Sequence, residues 1–385
     1  MPDRPHADLV ALRARRGDRL ATLLRELDLD HVLLSGADHI RYATDYRTQL
    51  VSEAFDWYAA IVDADGEAEV FVPYVEDELP RPDEGLPHVR AVHPLPSWAP
   101  AACHPRQWLT AVGGVLARRG ARRVGYEGLD VVLRDGLAER GLLLRPVGRE
   151  LFQMREIKDE IEVELLAATC RANEAALRRA VETAGAGMSD HDLLAVAAHD
   201  QHAAGVEFLT HGVCNVRKSS GGWFADGARL REGEPFFLDI GCYGRGGYAS
   251  DLCRTGFVGD VPDAVRHAYA CLLEAHLAGQ DSARPGVRAS AVHEAINACL
   301  HGHRLPHTPY ATGHGVGLRI CELPTIYRRD RMDEDAVIRA GQVLAIEPET
   351  TVEVNGLPLV LKVEDNFLVE PSGLRPLSAT APALS

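Results

Sequence analysis

Acidic residues set inside apolar runs constrain the fold of this chain more than any other feature of its sequence. In the stretch FFLDIGCYGRGGYASDLCRTGF, residues 236–257, Asp239 lies between Leu238 and Ile240, and Asp251 follows a glycine-rich turn. A buried carboxylate without a partner is so costly that it protonates, pairs with a cation or binds a metal ion. Asp239 therefore needs a partner that the fold has to supply.

The second half of the chain repeats this pattern. Glu347 follows the apolar run VLAI, and Glu364 follows LVLKV. Between the two pairs of acids, the segment TGHGVGL presents His314 among glycines, which let a backbone pass close to its neighbours. The sequence therefore offers four carboxylates and one imidazole as candidate ligands of one site.

The charge of these side chains favours two metal ions over one. Four carboxylates carry a charge of about −4, which two divalent cations neutralise and one does not. Oxygen ligands with one nitrogen suit Mn²⁺, Co²⁺, Fe²⁺ or Zn²⁺, whereas structural zinc favours a closed shell of thiolates and imidazoles. Two ions about 3.5–4 Å apart can bridge a water, lower its pKa and polarise a substrate carbonyl. The set therefore predicts a catalytic dinuclear site.

Length and periodicity predict two domains and an α/β (α+β) fold. The 385 residues exceed the size of one ordinary domain. Residues 1–150 alternate helix and strand signals and contain a predicted hairpin with Asp65 and Gly66 at its turn. In residues 151–385, two helices followed by a pair of strands occur twice, which predicts an internally duplicated domain.

Composition argues against several partners. The chain has 41 basic and 56 acidic residues, and its net charge of −15 repels phosphate backbones and anionic lipid. Eight cysteines without a C-x-x-C pair are typical of free thiols in a reducing cytosol. No apolar run approaches the roughly 18 residues of a membrane span, and the charged N-terminus lacks a signal-peptide core. We therefore expect a cytoplasmic protein without nucleic-acid or membrane partners.

The segments that carry these acids resemble a known superfamily. LDIG with GGYASDLCRT, TGHGVGL, AIEPE and LKVEDNFLV are similar to the metal-ligand segments of the pita-bread metallohydrolases, which include prolidase, aminopeptidase P, creatinase and methionine aminopeptidase. REIKDEIEVELL resembles the linker helix of the prolidase and creatinase branch. The resemblance implies a small N-terminal α/β domain, residues 1–150, followed by a pita-bread catalytic domain, residues 151–385.

The same resemblance implies a role for each candidate ligand. Asp239 would chelate one metal ion, and Asp251 and Glu364 would bridge both ions. His314 and Glu347 would complete the second ion's ligands. The resemblance also implies a homodimer, in which the N-terminal domain of one subunit helps to wall the partner's site.

Two departures from the family pattern concern substrate-facing histidines. The family has one upstream of the first aspartate, where this chain has SSGGWFADG, and another in a His-Glu pair, where this chain has Cys321 and Glu322. Such proton donors contribute about 10² to 10⁴ in rate. Four residues are candidates to replace them: His211, His307, Tyr310 and Arg319. Cys321 is a candidate for the pocket wall, and Glu349 stands where a glycine often follows Glu-Pro.

The sequence thus predicts a dinuclear-metal hydrolase similar to creatinase and Xaa-Pro dipeptidase. A metal-bridged hydroxide would attack a carbonyl or amidine carbon, with Glu347 and His211 as the catalytic side chains. The missing histidines favour a small amide, amidine or modified amino acid over Xaa-Pro dipeptides. Three alternatives stay open: an ordinary Xaa-Pro dipeptidase or aminopeptidase P, a metal-dependent lyase on the same fold, and a non-enzymatic binding module.

Overall fold

The computed structural model describes residues 6–46, 58–73, 86, 88–95, 105–354 and 356–378. The chain divides into two compact units, residues 2–155 and 156–385. The boundary expected after residue 150 falls inside the helix Gly148–Arg155, which ends the first unit. Among the described residues, no helix is long and apolar enough to cross a membrane.

The first unit is a six-stranded mixed sheet with helices. Its strands are β1 (His31–Leu34), β2 (Ala59–Asp63), β3 (Ala68–Pro73), β4 (Val89–Leu95), β5 (Arg123–Tyr126) and β6 (Leu143–Pro146), in the order β4-β3-β2-β1-β5-β6. Its helices are α1 (His6–Glu26), α2 (Ala37–Thr44), α3 (Pro105–Arg118), α4 (Val131–Ala138) and α5 (Gly148–Arg155). The predicted hairpin is confirmed, because β2 pairs antiparallel with β3 and Gly66 turns with a φ of 83°.

Two capped helices open the second unit. They are α6 (Glu160–Thr183) and α7 (Asp190–Ala203). Asp159 and Glu162 form a capping box at the start of α6, and Ser189 and Asp192 form the predicted one at the start of α7. Each box satisfies backbone N–H groups that a helix start leaves without intrahelical acceptors. These caps fix where the two helices begin.

Helix pairs and strands then alternate as the sequence predicts. The first strands, β7 (Phe208–Asn215), β8 (Pro235–Tyr243) and β9 (Ala249–Phe257), form an antiparallel sheet in that order. The second helix pair is α8 (Asp263–Ser282) and α9 (Ala289–Gly302). The remaining strands are β10 (Gly313–Gly315), β11 (Glu322–Ile326), β12 (Val343–Ile346), β13 (Glu349–Val354), β14 (Leu357–Lys362), β15 (Asp365–Glu370) and β16 (Gly373–Pro376).

The last two long strands expected from the sequence are each broken in two. β12 ends before Glu347, and β14 ends before Glu364. Pro348 has no N–H for a strand ladder, so the chain leaves the sheet there. As a result, β12 and β15 pair within the five-stranded sheet β11-β10-β12-β15-β16, whereas β13 and β14 form a separate two-stranded ribbon. Both acids thus lie at the corner between these sheets.

The apolar core beneath this corner packs the second helix pair against the five-stranded sheet. Its fully buried members include Val265, Ala268, Leu272, Ile296, Leu344, Ile346 and Phe367. Burying such side chains stabilises each by about 1.5–3 kcal/mol before the entropic cost of ordering them. This rigid base holds the strands that carry the candidate ligands.

Candidate metal centre

The two aspartates lie on one face of the β8–β9 pair. Asp239 pairs with Cys253, and Asp251 pairs with Gly241, two residues along β8 from Asp239. Because side chains alternate along a strand, Asp239 and Gly241 point to the same face, and Asp251 lies opposite Gly241. Both carboxylates are buried. The glycine leaves a gap between them that another side chain fills.

His211 fills this gap from a bulge in β7. The β7–β8 ladder shifts register between Leu209 and Gly212, and such bulges re-aim side chains near functional sites. A Cβ on Gly241 would overlap the ring of His211. The ring's Nε2 lies 3.1 Å from Asp239 Oδ1 and 3.3 Å from Asp251 Oδ1. The imidazole expected from the sequence as a replacement is therefore brought to the two aspartates.

His314 faces Asp251 from β10. A Cβ on Gly313 would overlap the carbonyl oxygen of Ala345, and one on Gly315 would overlap that of Leu323, so both glycines permit close strand packing. His314 Nδ1 lies 3.0 Å from the Gly315 carbonyl, which can only accept, so Nδ1 carries the proton. This leaves Nε2 free to face the acids.

The Nε2 atom of His314 lies at similar distances from three carboxylates. It is 3.6 Å from Asp251 Oδ2, 3.6 Å from Glu347 Oε1 and 3.7 Å from Glu364 Oε1. The backbone at both glutamates is anchored, since Glu347 N–H donates to Thr312 and Glu364 exchanges two hydrogen bonds with Cys253. The five predicted ligands are thus brought together.

Lys362 also lies in this cluster, although it is not among the ligands predicted from the sequence. Its buried ammonium lies 2.6 Å from Asp239 Oδ2, 2.9 Å from Glu347 Oε2 and 3.3 Å from Glu364 Oε2. Burial alone would lower the pKa of Lys362, but these carboxylates hold it well above its ordinary value. In an extended strand, residues two apart point to the same face. The position of Lys362 two residues before Glu364 was therefore the sequence signal that could have identified it.

The carboxylates titrate differently because their neighbours differ. Burial would raise the pKa of Asp239, but Lys362 and His211 outweigh it and lower that pKa. Burial raises the pKa of Glu364 well above its ordinary value, and the nearby Asp251 adds to this rise. For the imidazole of His211, burial alone would lower the pKa, but the two neighbouring aspartates raise it to about 11. Without metal, protons and an ammonium therefore offset the negative charge.

The donor atoms fit two cations. His211, Asp239 and Asp251 offer three ligand atoms within 4.8 Å of one another, and His314, Glu347 and Glu364 offer a second such group. The buried Oε1 of Glu364 accepts no hydrogen bond from the described residues, as expected of an oxygen shaped to bind a cation. Oxygen-rich donors with one imidazole in each group suit borderline divalent ions.

A second polar cluster adjoins the centre around Glu349. Glu349 pairs directly with Lys362 across the β13–β14 ribbon. The hydroxyls of Ser220 and Tyr310 donate to its two carboxylate oxygens. Burial raises the pKa of both Glu349 and Tyr310. Ser220 belongs to the segment in which the resembled family has a histidine, so this cluster lies near one of the departures.

The other predicted residues have different surroundings. Cys321 is exposed, and its Sγ forms a ligand group with Asp251 and His314 in which all atoms lie within 4.8 Å. Arg319 donates its backbone N–H to Glu322 Oε1 at 3.1 Å. The ring of His307 packs edge-on against His301 on α9. Of these three residues, Cys321 is the one that the described contacts place beside the candidate ligands.

A comparison with protein families agrees with this site and fold. The model of metallopeptidase family M24 matches residues 164–371, which is more than half of the chain. The chain belongs to metallopeptidase family M24 and is a metal-dependent hydrolase. Family members use divalent metals, which agrees with the candidate ligand groups.

Several curated relatives and solved structures match most of the chain. An Xaa-Pro dipeptidase from Pyrococcus furiosus is 25% identical over 376 residues, covering 95% of this chain and 98% of the relative. A probable dipeptidase PepE from Mycobacterium tuberculosis is 31% identical over 220 residues, covering 56% of each chain.

Among solved structures, prolidase from Pyrococcus furiosus has a TM-score of 0.76 at 22% identity, covering 94% of this chain and 100% of that one. An Xaa-Pro dipeptidase from Bacillus anthracis has a TM-score of 0.79 at 19% identity, covering 97% and 99%. The expected pita-bread fold is thereby confirmed.

Replacing Lys362 tests its electrostatic role. We expect Lys362→Met to destabilise the metal-free protein by about 3–5 kcal/mol, because it leaves buried carboxylates without their cation. Saturating Mn²⁺ should restore more stability to this variant than to the wild type, since the ions replace the lost charge. Thermal unfolding with chelator and with Mn²⁺ measures both effects.

Lys362→Arg is the matched control, because it keeps a cation at this position. It should lose less stability than Lys362→Met in the metal-free state. An unchanged unfolding temperature of metal-free Lys362→Met would contradict the proposed role of the ammonium.

Proposed function

We propose that this chain is a dinuclear-metal dipeptidase that cleaves the amide bond of Xaa-Pro or closely related dipeptides. The observation that carries this proposal is the buried cluster in which His314 Nε2 lies 3.6–3.7 Å from Asp251, Glu347 and Glu364, with Asp239 next to Asp251 on the β8–β9 pair. Asp239 would chelate one ion, Asp251 and Glu364 would bridge both, and His314 and Glu347 would complete the second. When bound, two such ions activate a water and polarise a carbonyl.

Lys362 changes the charge balance of this centre. Four carboxylates and one ammonium carry a net charge of about −3, so two divalent ions leave a net charge of about +1. That residual charge favours an anion at the centre, such as the carboxylate of a dipeptide. The ammonium also hydrogen-bonds Asp239 at 2.6 Å, which holds this ligand in one orientation.

His211 would act on the substrate as a proton donor. Its side chain is 31% exposed, whereas those of the two aspartates beside it are less than 10% exposed, so the imidazole lies on the open side of the cluster. Thr210 Oγ1 lies 3.0 Å from the ring's Nδ1 and orients it. We therefore assign His211 the role of an absent family histidine, and Glu347 remains the partner that would take a proton from the attacking water.

The relatives support dipeptides over the amidines that the sequence analysis favoured. Relatives that match most of this chain are called Xaa-Pro dipeptidases, and creatinase-like specificity has no such support. One observation keeps a small modified amide as the second candidate. The buried Glu349 lies next to Lys362 and accepts from the half-buried Ser220 and Tyr310, so a substrate at the centre would have to fit beside this cluster.

Three further expectations stay predictions. They are a homodimer, a cytoplasmic location, and the choice of Mn²⁺, Co²⁺, Fe²⁺ or Zn²⁺ as the native ion. Sedimentation velocity would contradict the homodimer if the loaded protein sedimented as a monomer at micromolar concentration.

A dipeptide panel tests the reaction. We expect the Mn²⁺- or Co²⁺-loaded enzyme to cleave Xaa-Pro dipeptides with higher kcat/KM than matched Xaa-Ala dipeptides and than creatine. The expected reason is that relatives matching most of this chain are called Xaa-Pro dipeptidases. Preferential turnover of creatine or another amidine would contradict the dipeptidase proposal, and products without ¹⁸O from labelled water would indicate a lyase.

The role of His211 has a separate test. We expect His211→Ala to lower kcat by about 10² to 10⁴, because a positioned proton donor is lost. The variant should still bind two Mn²⁺ per chain. If it binds only one ion, His211 is a metal ligand and the proposed catalytic role is wrong. His199→Ala is the matched control, since His199 is an exposed histidine on α7 and should leave both measurements unchanged.

A further inference from the structure

A cluster of thiols and imidazoles lies between α8 and α9, outside the carboxylate centre. On α8, His267 and Cys271 are four residues apart, and Glu274 follows three residues later. On α9, Cys299 is followed four residues later by His303, which caps the helix. Residues three or four apart share a helix face, so each helix contributes one thiol and one imidazole to a common surface.

The side chains of this cluster contact one another from helix to helix. Ligand atoms of Glu274, Cys299 and His303 all lie within 4.8 Å of one another. His303 Nε2 lies 2.7 Å from Glu274 Oε2, and Cys271 Sγ lies 3.7 Å from His267 Nε2. The rings of His267 and His303 have centroids 6.4 Å apart. The group is continuous from one helix to the other.

Donor type and position both favour a cation. An ion pair between His303 and Glu274 accounts for two of these residues but gives no role to the thiols. The end of α9 adds partial negative charge from its terminal carbonyls, which attracts cations. Burial and the nearby Glu274 raise the pKa of both Cys271 and Cys299. A bound metal ion would reverse this effect by stabilising the thiolate.

We propose that α8 and α9 hold a thiophilic transition-metal ion such as Zn²⁺ through Cys299, His303 and Glu274. The ion would replace the hydrogen bond between His303 Nε2 and Glu274, the imidazole proton would move to Nδ1, and the Cys299 thiol would release its proton to solvent. Donors around tetrahedral zinc lie roughly 3.3–3.8 Å apart, so atoms within 4.8 Å reach it by small side-chain rotations. Cys271 is the nearby thiol that can take the fourth position.

Such an ion would fasten the two helices that support the carboxylate centre. Both helices contribute buried side chains to the core under β12, the strand that leads into Glu347. Binding to the folded state alone would raise the unfolding temperature. The site lies apart from the carboxylates, so the proposal does not depend on the catalytic metals or on the substrate.

Cadmium titration of the full-length protein tests this site, because cadmium thiolates absorb in the ultraviolet and carboxylate-bound cadmium does not. We expect the wild type to develop this absorption and to saturate at one thiolate-bound ion per chain. Cys299→Ser should remove at least about half of the band, because Cys271 is then the one thiol left among the described residues of the site, and His303→Ala should weaken the apparent affinity at least about tenfold. Unfolding of both variants in chelator should match the wild type, which excludes a folding defect.

Cys321→Ser is the matched control, because Cys321 is the thiol beside the carboxylate centre. It should keep the absorption and its saturation point. No thiolate band in the wild type would overturn the proposal. A band that is undiminished in Cys299→Ser and disappears in Cys321→Ser would also overturn it, because the thiolate would then belong to the carboxylate centre.

Discussion

Four carboxylates buried within reach of one another repel, and the catalytic unit depends on the groups that offset this repulsion. Lys362 contacts three of them and His211 contacts two, while His314 faces three from the other side. In the absence of metal, these groups and a proton on Glu364 lower the net charge. These groups cannot donate a hydrogen bond to every carboxylate oxygen. The carboxylate oxygens that accept none are available to bind a cation.

The strands bring these groups together because regular pairing fails at particular points. The bulge in β7 turns His211 toward Gly241, and the breaks after β12 and β14 leave Glu347 and Glu364 at a corner between two sheets. Glycines at positions 313 and 315 let His314 approach the same corner. Irregular backbone at a site is stable only where surrounding structure holds it. The helix pair α8 and α9 supports the strand breaks, and the pair α6 and α7 supports the sheet that contains the β7 bulge.

The sequence predicts the candidate ligands better than it predicts their surroundings. Acids in apolar runs indicated Asp239, Asp251, Glu347 and Glu364. A carboxylate in an apolar run needs a buried partner, and this requirement can be recognised from the residue and its immediate neighbours. The division into two α/β units and the capping box at Ser189 were also within reach of local patterns. The break after β12 had a local signal in Pro348. The break after β14 had none, because the apolar periodicity continues through Glu364 while the hydrogen-bond partners change.

The positions of Lys362 and Glu349 beside the candidate ligands depend on strand pairing. Strand alternation relates Lys362 to Glu364, but it does not show that β13 pairs with β14 and sets Lys362 opposite Glu349. Pairing register is a long-range property that no local pattern specifies fully. His211 was one of several candidates in the sequence, and the bulge distinguished it from His307, whose ring packs against α9 instead.

The number of Mn²⁺ ions bound per chain is the most direct measure of this arrangement. Manganese prefers oxygen donors, so equilibrium dialysis with electron paramagnetic resonance would count ions at the carboxylates without interference from thiols. The account predicts two ions for the wild type, and the loss of at least one in the combined variant Asp239→Asn, Glu364→Gln. Equal Mn²⁺ binding by the wild type and this variant, or none by a folded wild type, would contradict it.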